Sequence, residues 1–170
     1  MITLEKIGME AMESLREIGI RTFTETFGAL NTPENMKKYL DESFATEKLK
    51  QELTNPNSVF YFAKEGEAII GYLKLNFAGA QTELNDGSAV EIERIYVVKE
   101  YQGKKIGQLL YDKAIEVAKE TEAAYVWLGV WEENVKAIAF YNKNGFVPFN
   151  KHRFTLGEDV QTDIMMKKVL

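Results

Sequence analysis

The segment Gln102–Gly107 combines two glycines and two lysines at the junction between a strand-like segment and an amphipathic helical one. Successive backbone N–H groups at such a junction converge with the positive end of the helix dipole, and this arrangement binds anions. The side chains of Lys104 and Lys105 add mobile positive charge. Because any loop between a strand and a helix can contain glycine and lysine, the segment alone indicates either a phosphate-binding turn or an ordinary connection.

Asn134 and Tyr141 form a second pair whose spacing suggests a binding role. They are seven residues apart in a helical segment. Seven residues make nearly two turns, so both side chains project from one face and are separated by about 10.5 Å along the axis. Each residue also has an ordinary structural interpretation, Asn134 as an N-cap and Tyr141 as a core aromatic whose hydroxyl bonds to the backbone.

Glu91 and Glu93 occupy alternate positions in a segment rich in β-branched residues, so both carboxylates are expected on the same face of a strand. Either carboxylate could accept a proton during catalysis, directly or through a water molecule. Both could equally be surface charges of a half-exposed strand. The neighbouring Arg94 is expected to point to the opposite face and to be structural.

Composition narrows the chemistry further. The chain has no cysteine, which excludes a cysteinyl intermediate and favours direct transfer between two bound substrates. A chain with one histidine, His152, cannot form a histidine-rich metal site, so no metal is expected. The single histidine also argues against a Ser-His-Asp triad. The net charge of −5 disfavours nucleic-acid binding and is compatible with a small cationic substrate.

Helical signals predict five helices in one domain that spans residues 1–170. Apolar residues recur with a helical period from Gly8 to about Phe27, and again from Ile106 to Ala118. Thr32 and Thr46 are expected to cap two further helices. The fifth helix is expected from Asn134 to Asn144.

Strand signals alternate with these helices and predict a mixed sheet. The strand-helix-strand unit from Val90 to Trp131 should pair its strands in parallel through a right-handed crossover, whereas the hairpin before it is antiparallel. The segment Gly79–Gly87 is polar and is predicted to be a loop. The expected strands are Ile2–Ile7, Val59–Ala63, Ala68–Phe77, Val90–Val98, Tyr125–Trp131, Phe146–Pro148 and Thr162–Val169.

Two motifs in this order resemble those of the GCN5-related N-acetyltransferases (GNATs). The hallmark of that family, Q/R-x-x-G-x-G/A at the turn into this helix, is matched by Gln102 and Gly107, whereas Lys105 replaces the middle glycine. This departure matters only if the position needs a positive φ or an unusually close approach of the cofactor. The second family motif, an Asn followed by A-x-x-F-Y-x-x-x-G-F, is matched without a gap from Asn134 to Phe146.

The resemblance implies the GNAT fold, an α/β (α+β) architecture with a mixed, mostly antiparallel central sheet, a splayed parallel pair of central strands and helices on both faces. It implies acetyl-CoA as cosubstrate. Tyr141 matches the family tyrosine that protonates the leaving thiolate. The cofactor-binding positions that the resemblance implies are Ile95, Tyr96 and Val97 through their backbone, and Gln102, Gly103, Lys104, Lys105, Ile106, Gly107, Asn134 and Lys143.

Segments such as Glu91–Tyr96, Trp127–Glu132 and Leu156–Asp163 are similar to the PaiA group of bacterial spermidine/spermine N-acetyltransferases. This similarity implies a polyamine or another primary amine as acceptor, and position matching favours Glu93 over Glu91 as proton acceptor. An amino acid, an antibiotic, a protein N-terminus and a non-catalytic CoA-binding regulatory module are the alternatives. We expect a cytoplasmic protein with no membrane or nucleic-acid partner, because no signal peptide or long apolar run is evident; a homodimer is compatible with the sequence.

Overall fold

The computed structural model describes residues 1–170 and contains the five helices and seven strands that were predicted. The helices are α1 (Met12–Phe27), α2 (Pro33–Ser43), α3 (Thr46–Thr54), α4 (Ile106–Glu120) and α5 (Val135–Lys143). The strands are β1 (Ile2–Ile7), β2 (Ser58–Glu65), β3 (Ala68–Phe77), β4 (Ala89–Val97), β5 (Tyr125–Trp131), β6 (Val147–Leu156) and β7 (Asp159–Val169).

All seven strands form one sheet in the order β1-β2-β3-β4-β5-β7-β6. Neighbouring strands are antiparallel, except that β4 and β5 are parallel and are connected through α4. The predicted mixed sheet with one parallel pair is therefore confirmed.

The parallel strands β4 and β5 separate after a short paired region. Residues Ala89–Glu91 pair with Tyr125–Trp127, and the pairing does not continue beyond them. On their outer sides, β4 stays paired with β3 as far as Val97, and β5 stays paired with β7 as far as Trp131. A gap therefore opens in the middle of the sheet, and one edge of β4 faces it without a strand partner.

Helices cover both faces of the sheet at β3, whose residues are almost all buried. Helix α4 packs on one face, where a Cβ atom added at Gly71 would lie 3.3 Å from the Leu110 side chain. Lys74 is three residues further along the strand and therefore points to the other face. There its ammonium group lies 2.7 Å from the Glu52 carboxylate of α3. No helix is both long enough and apolar enough to cross a membrane.

The predicted caps and strand ends agree with the structure at some positions and not at others. Thr32 caps α2, because its hydroxyl accepts a hydrogen bond from the Asn35 N–H at 3.2 Å. The cap predicted at Thr46 is wrong: Ala45 is the extended residue before α3, so Thr46 already lies in the first turn. The last two strands are longer than predicted and form a hairpin from Val147 to Val169. The prediction missed most of β6 because much of this strand is exposed and its sequence has no apolar period.

Candidate active site

A cavity of about 820 Å³ opens where β4 and β5 separate. Its wall is formed by side chains from α1, β4, the turn before α4, β5, α5 and the β6–β7 hairpin. Most of the predicted site residues line it: Glu91, Glu93, Ile95, Tyr96, Val97, Gln102, Gly103, Lys105, Ile106, Gly107, Asn134 and Tyr141. The topology thus brings the glutamates of β4, the glycine-containing turn and the face of α5 around one space.

Lys104 and Lys143 do not line this cavity, so their predicted contact with a cofactor stays a prediction. The ammonium group of Lys104 instead lies 5.0 Å from the centroid of the Tyr101 ring. Lys143 is exposed in the last turn of α5. Both side chains are on the outer surface and could reach only the exposed part of a bound ligand.

The turn before α4 has two residues in the left-handed region. Gly103 has φ +82°, and Lys105, the residue that replaces the family glycine, has φ +66°. Lys105 is also the N-cap residue, and no side chain caps the helix. The first amides of α4 therefore have no side-chain acceptor, and together with the helix dipole they make an anion site. The Gln102 side chain stabilises the turn by donating to the Val97 carbonyl at 3.2 Å.

Tyr141 is buried on α5, where its ring contacts two phenylalanines. The ring centroids of Phe140 and Phe146 lie 5.4 and 5.7 Å away. Burial, with a smaller contribution from nearby Tyr111, raises the pKa of the Tyr141 hydroxyl. The phenol therefore keeps its proton at neutral pH, and it lines the cavity as a neutral hydrogen-bond donor.

Asn134 is the N-cap of α5, as its ordinary interpretation predicts. Its side-chain oxygen accepts a hydrogen bond from the Ala137 N–H at 3.3 Å. The cap uses only the carbonyl end of the side-chain amide, so the NH₂ group is still available to a ligand in the cavity. Asn134 can therefore cap the helix and contact a ligand at the same time.

Glu91 is buried on β4, and three donors hold its carboxylate. Its Oε1 atom accepts from the Asn76 side chain and from the Thr82 N–H, both at 2.9 Å, and its Oε2 atom accepts from the Thr82 hydroxyl at 2.5 Å. Burial, with a smaller contribution from the charge of Glu93, raises the pKa of Glu91. The hydrogen bonds from Thr82 and Asn76 lower it only in part, so the pKa remains above its usual value. Glu91 is thus an ionisable group with increased proton affinity on the cavity wall.

Glu93 is held by cations. Its Oε1 atom accepts from the Lys74 ammonium at 2.6 Å and from the Asn76 side chain at 2.8 Å. Its Oε2 atom lies 3.5 Å from Nε of Arg94. Burial alone would raise the pKa of Glu93, but Arg94 and Lys74 lower it to about 2.

The predicted position of Arg94 on the opposite face is wrong. In the pairing of β3 with β4, Lys74 lies opposite Arg94 and Leu75 lies opposite Ile92, so Glu93 is an extra residue in a β-bulge. Bulges of this kind break the regular alternation of side chains. As a result Arg94 lines the same cavity as Glu93 and pairs with it.

Three cavity residues that were not predicted as site residues form a group near β5: His152 and Asp163 lie against Gly129, and Glu83 contacts His152. His152 bridges two carboxylates, with its Nδ1 atom 3.2 Å from Glu83 and its Nε2 atom 3.5 Å from Asp163. The pairing of His152 with Asp163 depends on the β6–β7 register. No local sequence signal reveals that register, because these strands have little apolar alternation. Thr82, the partner of Glu91, was also missed and lies in the segment that was predicted only as a loop.

Comparisons with known proteins agree with this geometry. The model of the Acetyltransferase (GNAT) family matches residues 12–146. An uncharacterized N-acetyltransferase of Lactobacillus delbrueckii subsp. lactis is 43% identical over 153 residues, which cover 90% of this chain and 88% of that protein. The spermidine N(1)-acetyltransferase of Thermoplasma acidophilum is 28% identical over 149 residues, covering 85% of this chain and 88% of that protein.

A solved structure extends the similarity to the whole fold. The crystal structure of the PaiA N-acetyltransferase from Thermoplasma acidophilum, in complex with coenzyme A, superposes with a TM-score of 0.82 at 25% identity. The alignment covers 100% of this chain and 99% of that one. The family match covers most of the chain, and it agrees with the separated parallel strands and the glycine-containing turn. The protein therefore belongs to the GNAT family of acetyltransferases.

Proposed function

We propose that the protein acetylates a polyamine such as spermidine or spermine, with acetyl-CoA as donor, by direct attack in a ternary complex. The observation that carries the acceptor class is the concentration of carboxylates on the cavity wall, which comprises Glu83, Glu91, Glu93 and Asp163. These charges suit a flexible polycation, because a low-dielectric cleft strengthens attraction to opposite charge. Similarity to a spermidine N(1)-acetyltransferase supports the same acceptor.

The proposed donor site follows the gap between β4 and β5. We place the pyrophosphate of acetyl-CoA on the amides of Gln102–Gly107, where the helix dipole and the uncapped N-terminus of α4 favour an anion. The pantetheine arm would bond to the free edge of Ile95–Val97 in the manner of an added strand. The NH₂ group of Asn134 would contact the arm from α5.

The proposed reaction uses two side chains for proton transfer. An acceptor ammonium loses a proton to Glu91, directly or through water, because only a neutral amine is nucleophilic. The amine nitrogen then attacks the thioester carbon, and the C–N bond forms as the C–S bond breaks. Tyr141 donates its proton to the departing thiolate and recovers one from the amine by way of solvent. The products are the acetylated amine, free CoA and one proton.

Glu91 fits the role of proton acceptor better than Glu93, which position matching had favoured. With a pKa of about 2, Glu93 holds a proton too weakly to accept one efficiently near neutral pH. Glu91 has a raised pKa, and its Oε2 atom has one protein donor and therefore a free lone pair. We assign to Glu93 the balance of the positive charges of Lys74 and Arg94, which would otherwise repel the ammonium group of the acceptor.

A matched pair of variants tests this assignment. Glu91→Gln should lower kcat by about 10²-fold, because general-base catalysis typically supplies that factor or more. Glu93→Gln should instead raise KM for the amine more than it lowers kcat. Steady-state kinetics at pH 7 and 8.5 separate the two effects. The reverse result, with kcat lost only in Glu93→Gln, would transfer the proton-acceptor role to Glu93.

The acceptor class is tested by thiol release from acetyl-CoA. Spermidine and spermine should be acetylated with higher kcat/KM than propylamine or a peptide N-terminus, since these acceptors lack distal ammonium groups. They should also exceed lysine, because the carboxylate of lysine offsets the charge of its second ammonium group. Equal rates with propylamine would refute the polyamine assignment. Binding of CoA without thiol release in the presence of any amine would instead support a regulatory module.

A further inference from the structure

The loop between β3 and β4, residues 78–88, is tied to β5 by two hydrogen bonds. The indole N–H of the buried Trp127 donates to the Gln81 side-chain oxygen at 2.7 Å. The hydroxyl of Tyr125 donates to Asp86 Oδ2 at 2.8 Å. Within the loop, the Gln81 NH₂ group donates to the Asp86 carbonyl at 2.8 Å. A loop that is held at these points presents its other residues in a fixed position.

Thr82 is the next residue after this anchored glutamine, and both of its donors bond to Glu91. The N–H and the hydroxyl contact different oxygens of the carboxylate, at 2.9 and 2.5 Å. Such a two-point contact fixes the plane of the carboxylate as well as its distance. The hydroxyl also stabilises the charged form of Glu91, because a donor to an ionised carboxylate makes a charge-assisted bond.

We propose that Thr82 is a positioning residue for acetyl transfer, and that the loop anchored by Trp127 and Gln81 exists to hold the Glu91 carboxylate in one orientation at the amine site. This inference rests on the proposed function, because it gives Glu91 the role of proton acceptor. Thr82 does not touch the reacting atoms; it acts through Glu91.

Other groups near Glu91 set the background for this effect. Glu93 shares the Asn76 donor with Glu91, and its negative charge opposes ionisation of Glu91. Lys74 and Arg94 offset that charge. Glu52 of α3 pairs with both of these cations as well. The cavity wall also carries Glu83, His152 and Asp163. A substitution at Thr82 alters none of these groups. A shift in the pKa of Glu91 in a Thr82 variant therefore reports on the bonds between Thr82 and Glu91.

The test compares Thr82→Val, which keeps the shape and the backbone N–H but lacks the hydroxyl, with Thr82→Ser, which keeps the hydroxyl. Thr82 is exposed, so neither variant disturbs the core. In Thr82→Val the acid limb of the kcat/KM profile for spermidine should move up by about one pH unit, since a hydrogen bond to a charged group favours the ionised form by about that amount. At a pH on that limb, kcat/KM of Thr82→Val should be about tenfold lower than that of the wild-type protein. Thr82→Ser should retain the wild-type profile.

A second measurement reads Glu91 without catalysis. Carboxyl ¹³C NMR titration of glutamate-labelled protein, with the Glu91 signal identified by its absence in Glu91→Gln, should show the same upward movement in Thr82→Val and none in Thr82→Ser. An unchanged titration midpoint in Thr82→Val would overturn the inference whatever the activity. If the midpoint moved while the kinetic profile did not, Thr82 would bond to Glu91 without serving the reaction, and the inference would also fail, although acetyl transfer would stand. Absence of acetylation by the wild-type protein would overturn the proposed function and the inference together.

Discussion

Replacing Lys105 by glycine should stabilise the protein, although it removes a charged residue from a turn that is expected to bind an anion. Lys105 has φ +66°, and a left-handed conformation costs a residue with a side chain about 1–2 kcal/mol. Glycine removes this cost but loses about 0.5–1 kcal/mol through the greater freedom of the unfolded chain. The expected net gain in the free energy of unfolding is therefore up to about 1.5 kcal/mol, with a midpoint of about 0.75 kcal/mol.

Two neighbouring variants separate backbone strain from charge. Lys105→Ala removes the same charge but keeps a side chain at positive φ, so its stability should remain within about 0.5 kcal/mol of wild type. Lys104→Gly removes an equal charge one position earlier, where φ is not positive. It should be destabilised by about 0.5–1 kcal/mol, because glycine gains freedom in the unfolded chain with no strain to relieve.

Urea denaturation of the apo-protein measures all three variants, and thermal unfolding checks them. A gain of 1 kcal/mol should raise Tm by about 2–4 °C in a domain of this size. The strain argument fails if Lys105→Gly is no more stable than Lys105→Ala. If Lys104→Gly and Lys105→Gly gained equally, relief of charge repulsion between the two lysines would be the cause instead of backbone conformation.

Two further predictions concern catalysis and acid stability. Tyr141→Phe should lower kcat by about 10²-fold or more while the KM for acetyl-CoA changes little, because only the acid for the thiolate is lost; a loss of less than threefold in a steady-state assay would remove Tyr141 from that role. The pKa of Glu93 is lowered from 4.5 to about 2 in the folded protein. The contribution of its ion pairs to the free energy of unfolding, about 3 kcal/mol, is therefore complete above pH 4.5 and is lost as the pH falls towards 2. Urea unfolding between pH 5 and 2.5 should show this decline in wild type and a flatter one in Glu93→Gln; equal slopes would contradict the assigned pKa.

The parts of the site that the sequence predicts are those set by local signals. The turn at Gln102–Gly107 contains two glycines and is followed directly by the helical spacing of apolar residues in α4. Both signals can be recognised within a short stretch of the chain. Asn134 likewise lies where a capping residue precedes a helical period, and the structure shows it as the N-cap. The splayed parallel strands followed from family resemblance, which the pairing of β4 with β5 confirms.

The parts that could not be predicted depend on pairing between distant segments. The bulge at Glu93 comes from a register shift against β3, and nothing within β4 alone indicates it. For that reason Arg94 was assigned to the wrong face. The bond from Thr82 to Glu91 depends on how a polar loop folds back over β4, and polar loop residues have no period that reveals their direction.

The separated strands also bear on the solubility of the protein. An unpaired strand edge is normally a template on which another chain can add a strand and begin aggregation. At Ile95–Val97 the unpaired edge is in the interior of the sheet, where β5 lies across the gap and the paired residues Ala89–Glu91 close one end. A foreign polypeptide would have to thread into this gap instead of docking along an open flank. Apart from the Val97 carbonyl, which accepts a hydrogen bond from the Gln102 side chain, the fold can therefore keep backbone groups of this edge available to a slender ligand without exposing them to intermolecular β-pairing.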